Sequence, residues 1–408
     1  MTFVSAHPLG ARLRADKHLL DNGLAVILVA DNAAPVVSLQ LWYRVGSRDE
    51  QPGRTGLAHL FEHLMFNQTA SLAAGEFDRL MEAAGGDTNA ATWLDWTFYR
   101  DNLPAGRLDL GLRLEAERMH NLTVTDEQVE TERKIITNER RFRVDDDVEG
   151  FLAEELFRLA FRVHPYRWPT IGWMEDILAI TTADARAFYR AHYAPDRATL
   201  VLVGDLDQDT ALRQIENHFG SIPPSGRQPT ALAIEPPQAE ERRAIFAKPV
   251  AADRASFAYR APAEDHPDWL PLAVAGEILY GGPSSRLYRR LVVEIEAATQ
   301  VDGSLAPLTD PGLLEVSVSM KRGHAAIEAE TIIDEEVARL AEASDAEVAK
   351  AVTRLETAYF GELESAEGKA EALGRHETTL LDYRRMFELP ARLAGIEAQE
   401  VARVAARY

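Results

Sequence analysis

His59, Glu62 and His63 stand in the order His-Leu-Phe-Glu-His. On an α-helix, positions four apart lie about 40° apart around the axis, so the two imidazoles share one face. Both can then reach one ion at roughly 2.0–2.1 Å, the length of a Zn–N bond. Glu62 falls about 60° to the side of His59, where it can act on a water without being a ligand. Zn²⁺ brings the pKa of such a water to about 7, and an adjacent carboxylate can take its proton and pass it to a leaving amine. A catalytic zinc takes three protein ligands. The chain has no cysteine, so the third is His, Asp or Glu. The acidic stretch after Thr125 offers Glu127, Glu130, Glu132 and Glu139. Glu132 and Glu139 are seven apart and so on one helical face; one can ligate while the other orients a ligand. Without the two histidines, these carboxylates would read as a solvated face.

The elements that must carry these residues follow from pattern. Asn22-Gly23 is a turn dipeptide before apolar Leu24 to Val29, and Val36 to Val45 reads as a second strand. Leu57 to Asn67 reads as a buried helix. Glu76 to Ala84 is another, stopped by Gly85-Gly86. Thr88 to Tyr99, rich in Thr, Trp, Phe and Tyr, reads as two strands around Asp95. Leu108 to Asn121 is predicted helical, and Thr125 with Gln128 forms a capping box for the next helix. Thr182 to Tyr193 is predicted helical and Thr199 to Val203 a strand.

A second half repeats this order. Ala255 to Arg260 is a predicted strand, Trp269 to Leu279 a helix, Leu313 to Met320 a strand, and Ser344 with Glu347 caps a long helix. Ile180 to Tyr193 laid on Gly395 to Tyr408 matches at four of 14 positions, so an internal duplication is expected. Between the halves, Ser221 to Glu241 holds five of the 20 prolines and reads as an extended linker. The expected domains are 1–220, a linker 221–241, and 242–408, the last with no segment left for its final strand.

Of 408 residues, 46% are hydrophobic and 27% charged, enough for a sizeable core and too ordered a composition for disorder. The net charge of −21 disfavours a nucleic acid or an anionic membrane as partner. No apolar run approaches the roughly 18 residues of a membrane span, and no signal peptide is visible in Met1 to Gly10. The sequence as given is therefore expected to be soluble and cytoplasmic, or periplasmic if a leader has been removed. Gly281-Gly282-Pro283-Ser284-Ser285 lacks the Lys of a phosphate loop. His164, before Pro165, reads as structural, and Trp93, Trp96 and Phe98 as core rather than groove.

Val45 to Thr69, VGSRDEQPGRTGLAHLFEHLMFNQT, resembles the HxxEH (inverzincin) signature of the pitrilysin-type zinc metallopeptidases, the group of insulysin and the mitochondrial processing peptidase. Glu132 to Glu139 resembles the second element, ERxxIxxE, and Glu139 stands 76 positions after His63 as that element requires. GGDTNAATWLDWTFY (Gly85 to Tyr99), HPYRWPTIG (His164 to Gly172) and YAPDRATLVLVGDLD (Tyr193 to Asp207) are also similar. The resemblance spans nearly the whole chain. It implies an α+β fold of two homologous α/β domains, each a mixed or antiparallel sheet with helices packed on it, arranged as a clamshell around a chamber. It implies Zn²⁺ on His59, His63 and Glu139, Glu62 as general base and then proton donor, and Glu132 orienting a ligand. Asn89, Ala90 and Thr92 would lie on an edge strand that pairs with an extended peptide.

One departure bears on partners. After SSRLY (Ser284 to Tyr288) the family's pattern continues LREKxGLxY, whose Arg and Tyr contact the substrate carbonyl. Here Leu291 to Thr299 reads LVVEIEAAT, and Val292 and Thr299 occupy those positions. Neither donates like Arg or Tyr, and the loss of an oxyanion donor costs about 10²–10³ in rate. Arg286 and Tyr288 belong to the preceding turn and are poor substitutes. The expectation is a zinc endopeptidase of peptides or unfolded segments, the zinc-bearing subunit of a heterodimer whose homologous partner lacks HxxEH and supplies the Arg and Tyr; a homodimer is the other arrangement. The alternatives are a non-catalytic assembly subunit of the same fold, or a module that traps peptides without cleaving them.

Overall fold

The computed structural model describes residues 1–227 and 231–408; Pro229 of the proline-rich segment lies outside them. By contacts the chain forms two compact units. The first comprises Met1–Arg140, Trp168–Ala233 and Glu362–Phe387, and the second Arg141–Arg167, Ile234–Gly361 and Glu388–Tyr408. Two segments, 141–167 and 362–387, thus join the unit opposite to the half of the chain that supplies them.

The first unit is built on seven strands: β1 (Thr2–Leu9), β2 (Leu13–Leu19), β3 (Ala25–Ala30), β4 (Val36–Tyr43), β5 (Asp87–Thr92), β6 (Thr97–Pro104) and β7 (Ala198–Gly204). Their order is β1-β2-β3-β7-β4-β6-β5. Only β3 and β7 pair in parallel, with Ile27 opposite Val201; every other pair is antiparallel. The central strands AVILVA and ATLVLVG are apolar at nearly every position because both their faces are covered. One face, with Val26, Leu28, Leu39, Leu41, Leu200 and Leu202, packs the main core. That core is closed by helices α1 (Leu57–Leu64), α2 (Glu76–Ala83), α3 (Leu108–Asn121), α4 (Asp126–Arg140), α6 (Met174–Ala179), α7 (Thr182–His192) and α8 (Gln208–Phe219). The other face, with Ile27, Val29, Trp42, Val201 and Val203, packs against Ala370 and Leu373 of α12 (Ala366–Leu380). Trp42 stacks on Phe98 at 4.3 Å. Gly374 has no Cβ because one there would collide with the Trp42 ring. Trp96 and Phe98 pack against this second core, as read from the sequence.

The second unit holds a three-stranded antiparallel sheet in the order β8-β10-β9, with β8 (Arg254–Arg260), β9 (Ala298–Leu305) and β10 (Leu313–Met320). It carries α5 (Val148–Ala160), α9 (Trp269–Tyr280), α10 (Ala326–Ala338), α11 (Asp345–Glu362) and α14 (Ala398–Arg407), and α13 (Arg385–Ala394) runs into it. Val301, Val316 and Val318 on one sheet face meet Val274, Ile278, Ile333 and Val401 from the helices. The fold is mixed α/β with helices packed on sheets. Among the described residues of 220–253 there is no helix or strand.

Candidate metal centre

Helix α1 begins at a close approach of two chain segments. Gly56 takes φ 94° and Gly172 φ 88°, both left-handed. A Cβ on Gly172 would lie 2.6 Å from the Gly56 Cα, so only glycine fits there. The preceding residue, Thr55, is held by Asp176, which accepts from the Thr55 backbone N–H at 3.2 Å and its hydroxyl at 2.8 Å. Leu57, Ala58, Leu60, Phe61 and Leu64 are buried and apolar, and His59, itself buried, shares the helix's remaining side with the half-buried Glu62 and His63. At its middle, the Tyr99 hydroxyl donates to the Phe61 carbonyl at 3.1 Å. The Tyr99 ring lies 4.3 Å beneath the fully buried Arg118 guanidinium, which donates from Nε to Glu115 at 2.8 Å.

Helix α4 packs across α1 and brings up the acidic residues. Its start is the expected capping box: Thr125 N–H donates to Gln128 Oε1 at 2.8 Å, and Gln128 N–H to Thr125 Oγ1 at 3.3 Å. Glu139 Oε2 lies 3.7 Å from His59 Nε2 and 3.6 Å from His63 Nε2. The ligand atoms of these three residues all fall within 4.8 Å of one another, and among the described residues this is the one such group of three or more. Donor atoms of a tetrahedral zinc, each about 2.0–2.1 Å from the ion, are about 3.3 Å apart. Two imidazole nitrogens and one carboxylate oxygen at these spacings therefore fit a zinc ion with little movement. The two imidazole rings are 4.9 Å apart and inclined at 76°, converging rather than stacked.

Glu132 takes the back of His63. Its Oε2 lies 3.3 Å from His63 Nδ1, and its Oε1 accepts from Asn67 Nδ2 at 2.8 Å. A carboxylate there fixes the ring and leaves Nε2 free to face the ion. Burial works to raise Glu132, but the bonds from His63 and Asn67 outweigh it and hold the carboxyl below its ordinary value. Burial likewise disfavours charge on His63, and its bonds to Glu132 and Glu139 reverse that, raising it to about 9 in the metal-free protein. Of the other acidic residues of α4, Glu130 pairs with Arg133 and Lys134, and Glu127 is exposed. Asn67 was not singled out by sequence; its position one turn past His63 was the available signal.

Glu62 is half-buried and follows Phe61, whose ring stacks on Tyr189. Asn89, Ala90 and Thr92 lie on β5, which pairs with β6 on one side and ends the sheet on the other. The Ala90 N–H donates to the side chain of Asn89 at 2.9 Å. In the second unit, Val292 packs against that unit's core, and the Thr299 hydroxyl donates to the Ser319 carbonyl at 3.1 Å. Arg286 is bound through two nitrogens to Glu347, at 2.8 and 3.0 Å. His164 is buried and accepts from the Tyr166 N–H at 3.2 Å.

Fold and centre together define a mixed α/β protein with a His₂Glu donor set on two crossing helices. The chain belongs to peptidase family M16: residues 25–172 match the family described as "Insulinase (Peptidase family M16)", and 179–355 match "Peptidase M16 inactive domain". It is 32% identical to the zinc protease PqqE of Helicobacter pylori, over 98% of this chain and 93% of that one. It is 25% identical to the beta subunit of the mitochondrial-processing peptidase of Blastocladiella emersonii, over 95% and 85%. The crystal structure of a protease from Helicobacter pylori superposes with a TM-score of 0.93 at 30% identity, covering 97% of this chain and 96% of that one. An M16 inactive-domain protein from Pseudomonas fluorescens shares the fold, with a TM-score of 0.86 at 18% identity and coverage of 97% and 94%. Among the described residues no helix is long and apolar enough to cross a membrane.

Proposed function

We propose that the chain is a zinc-dependent endopeptidase that hydrolyses peptides or unfolded polypeptide segments. The observation that carries this reading is the convergence of His59, His63 and Glu139 within 4.8 Å, with Glu132 behind His63. The zinc proteases among its relatives agree with it. A zinc ion held there would polarise the scissile carbonyl and make water acidic enough to lose a proton near neutral pH.

The chain's own residues supply the rest. Glu62, on the same helix as both histidines, takes the proton of the attacking water and returns it to the leaving amine. Glu132, bound by Asn67, keeps the His63 ring turned so that Nε2 faces the centre. β5, as an edge strand, offers its free side to an extended peptide through Asn89, Ala90 and Thr92.

A homologous partner without HxxEH completes the site in this reading. Its support is the departure at Val292 and Thr299, which are engaged in the core and in a strand bond, and the engagement of Arg286 by Glu347. The test is hydrolysis of a fluorogenic peptide by the zinc-loaded chain, alone and with such a homologue. A gain of about 10² or more on adding the partner is expected. Equal turnover alone would refute the partner. Zinc bound without turnover in either case would favour an assembly subunit.

A further inference from the structure

We propose that Glu50 is a positioning residue for the metal centre, its carboxylate fixing where α1 holds His59, Glu62 and His63. The inference rests on the zinc-centre reading above and names a residue that the reaction itself does not use. Helix α1 has eight residues, too few to be stable alone, so its placement depends on external ties. The first N–H groups of a helix lack partners within it, and the cap residue here is Gly56, which has no side chain to offer. Glu50 takes that place from six residues upstream. Its Oε2 accepts from Gly56 N–H at 2.9 Å and its Oε1 from Ala58 N–H at 2.7 Å. Ala58 directly precedes the ligand His59. Burial pushes the Glu50 carboxyl well above its ordinary value and the bonds from Ala58 and Gly56 work the other way, so the tie rests on these two hydrogen bonds.

Glu50 is itself anchored. It is 6% exposed and closes the short turn Ser47–Asp49, donating its N–H to the Ser47 carbonyl at 3.2 Å. Asp49 accepts from Gly46 N–H at 3.0 Å. Ser47 and Arg48 donate their N–H groups to the carbonyls of Trp93 and Leu94, each at 3.0 Å. Those two residues directly follow β5. One side chain thus ties the helix of the metal ligands to a turn registered against the end of the edge strand. Misplacement of a catalytic group by about 1 Å can cost 10²-fold in rate, so this tie bears on turnover as well as on metal binding.

The test is Glu50→Gln in the full chain, which keeps one acceptor oxygen and turns an amide N–H₂ toward a backbone donor. Zinc affinity is measured by competition with a chromophoric chelator, and ligand geometry by the visible absorption of the Co²⁺-loaded protein. A fall of about 10–100-fold in zinc affinity is expected, with altered Co²⁺ bands and a loss in kcat larger than any change in KM. Val316→Ala, in the core of the second unit, is the control that lowers stability while leaving zinc affinity unchanged. Glu50→Asp, with its carboxylate one methylene further back, is the second variant if the first does not fold; an intermediate loss of affinity is expected. Unchanged affinity and unchanged Co²⁺ bands in either folded variant would overturn the inference. So would failure of both to fold, since Glu50 would then hold the fold and not the metal helix. A wild-type chain that takes up no zinc would refute the metallopeptidase reading instead.

Discussion

His63 Nδ1 lies 3.3 Å from Glu132 Oε2. With Nδ1 engaged there, Nε2 is the nitrogen turned to Glu139, 3.6 Å away. The tautomer that presents a lone pair at Nε2 is the one Glu132 stabilises, by accepting the Nδ1–H. Replacing Glu132 with Gln leaves a neutral acceptor that can also present a donor. The expected result is a zinc affinity lower by about 10–100-fold in a protein that remains folded. Chelator competition on the purified variant checks it, and an affinity within twofold of wild type would contradict the role given to Glu132.

Arg118 is fully buried, as are Glu115 and Asp101, and its guanidinium lies over Phe66, Phe77 and Tyr99. Removing one member of such a cluster leaves charge without a counter-ion. Arg118→Leu is therefore expected to cost about 3–5 kcal/mol of stability, read from the denaturant midpoint. Arg118→Leu combined with Glu115→Leu should recover part of that loss, because the uncompensated carboxylate is gone. A double variant no better than the single one would show that packing against the three rings, not charge, sets the cost.

Much of this arrangement is legible in the sequence, and what is not has physical causes. The helix Leu108–Asn121 and the box of Thr125 with Gln128 follow from local pattern, and the structure shows both. The pairing of β5 and β6 around Asp95 follows from β-branched and aromatic content. The hairpin of β1 and β2 does not, because the alternation of Leu13, Arg14, Ala15 and Asp16 is too short a run and is broken by Lys17 and His18. The docking of α12 on the first sheet joins Gly374 to Trp42 across more than 300 positions, and no local rule reaches that far. At the centre, spacing alone brings His59 and His63 together, and Glu139 is singled out from the other acidic residues of α4 by the likeness of Glu132 to Glu139 to the ERxxIxxE element. Asn67 and Glu50 are not singled out, since their roles lie in hydrogen bonds to partners that only the fold brings near.

Burial raises Glu315 of β10 to about 7, with the Ser304 hydroxyl working the other way. Its ordinary value is 4.5, so the folded state holds this proton more tightly than the unfolded state between those two pH values. Its contribution to stability is full below about pH 4.5 and is lost as pH rises through about 7. Glu315→Gln removes that dependence. The melting temperature of the variant minus that of wild type should therefore increase by a few degrees between pH 5 and pH 8. A difference that stays flat across this range would show that Glu315 ionises freely in the folded protein.

The central claim is that zinc binding and proton transfer are separate tasks, the first carried by His59, His63 and Glu139 and the second by Glu62. The measurement that tests it most directly is the zinc content and peptide turnover of Glu62→Gln, taken on one preparation beside wild type under the conditions in which wild type is active. The account predicts one zinc per chain in both proteins and a loss of turnover of at least about 10² in the variant. Zinc retained with turnover undiminished would contradict it.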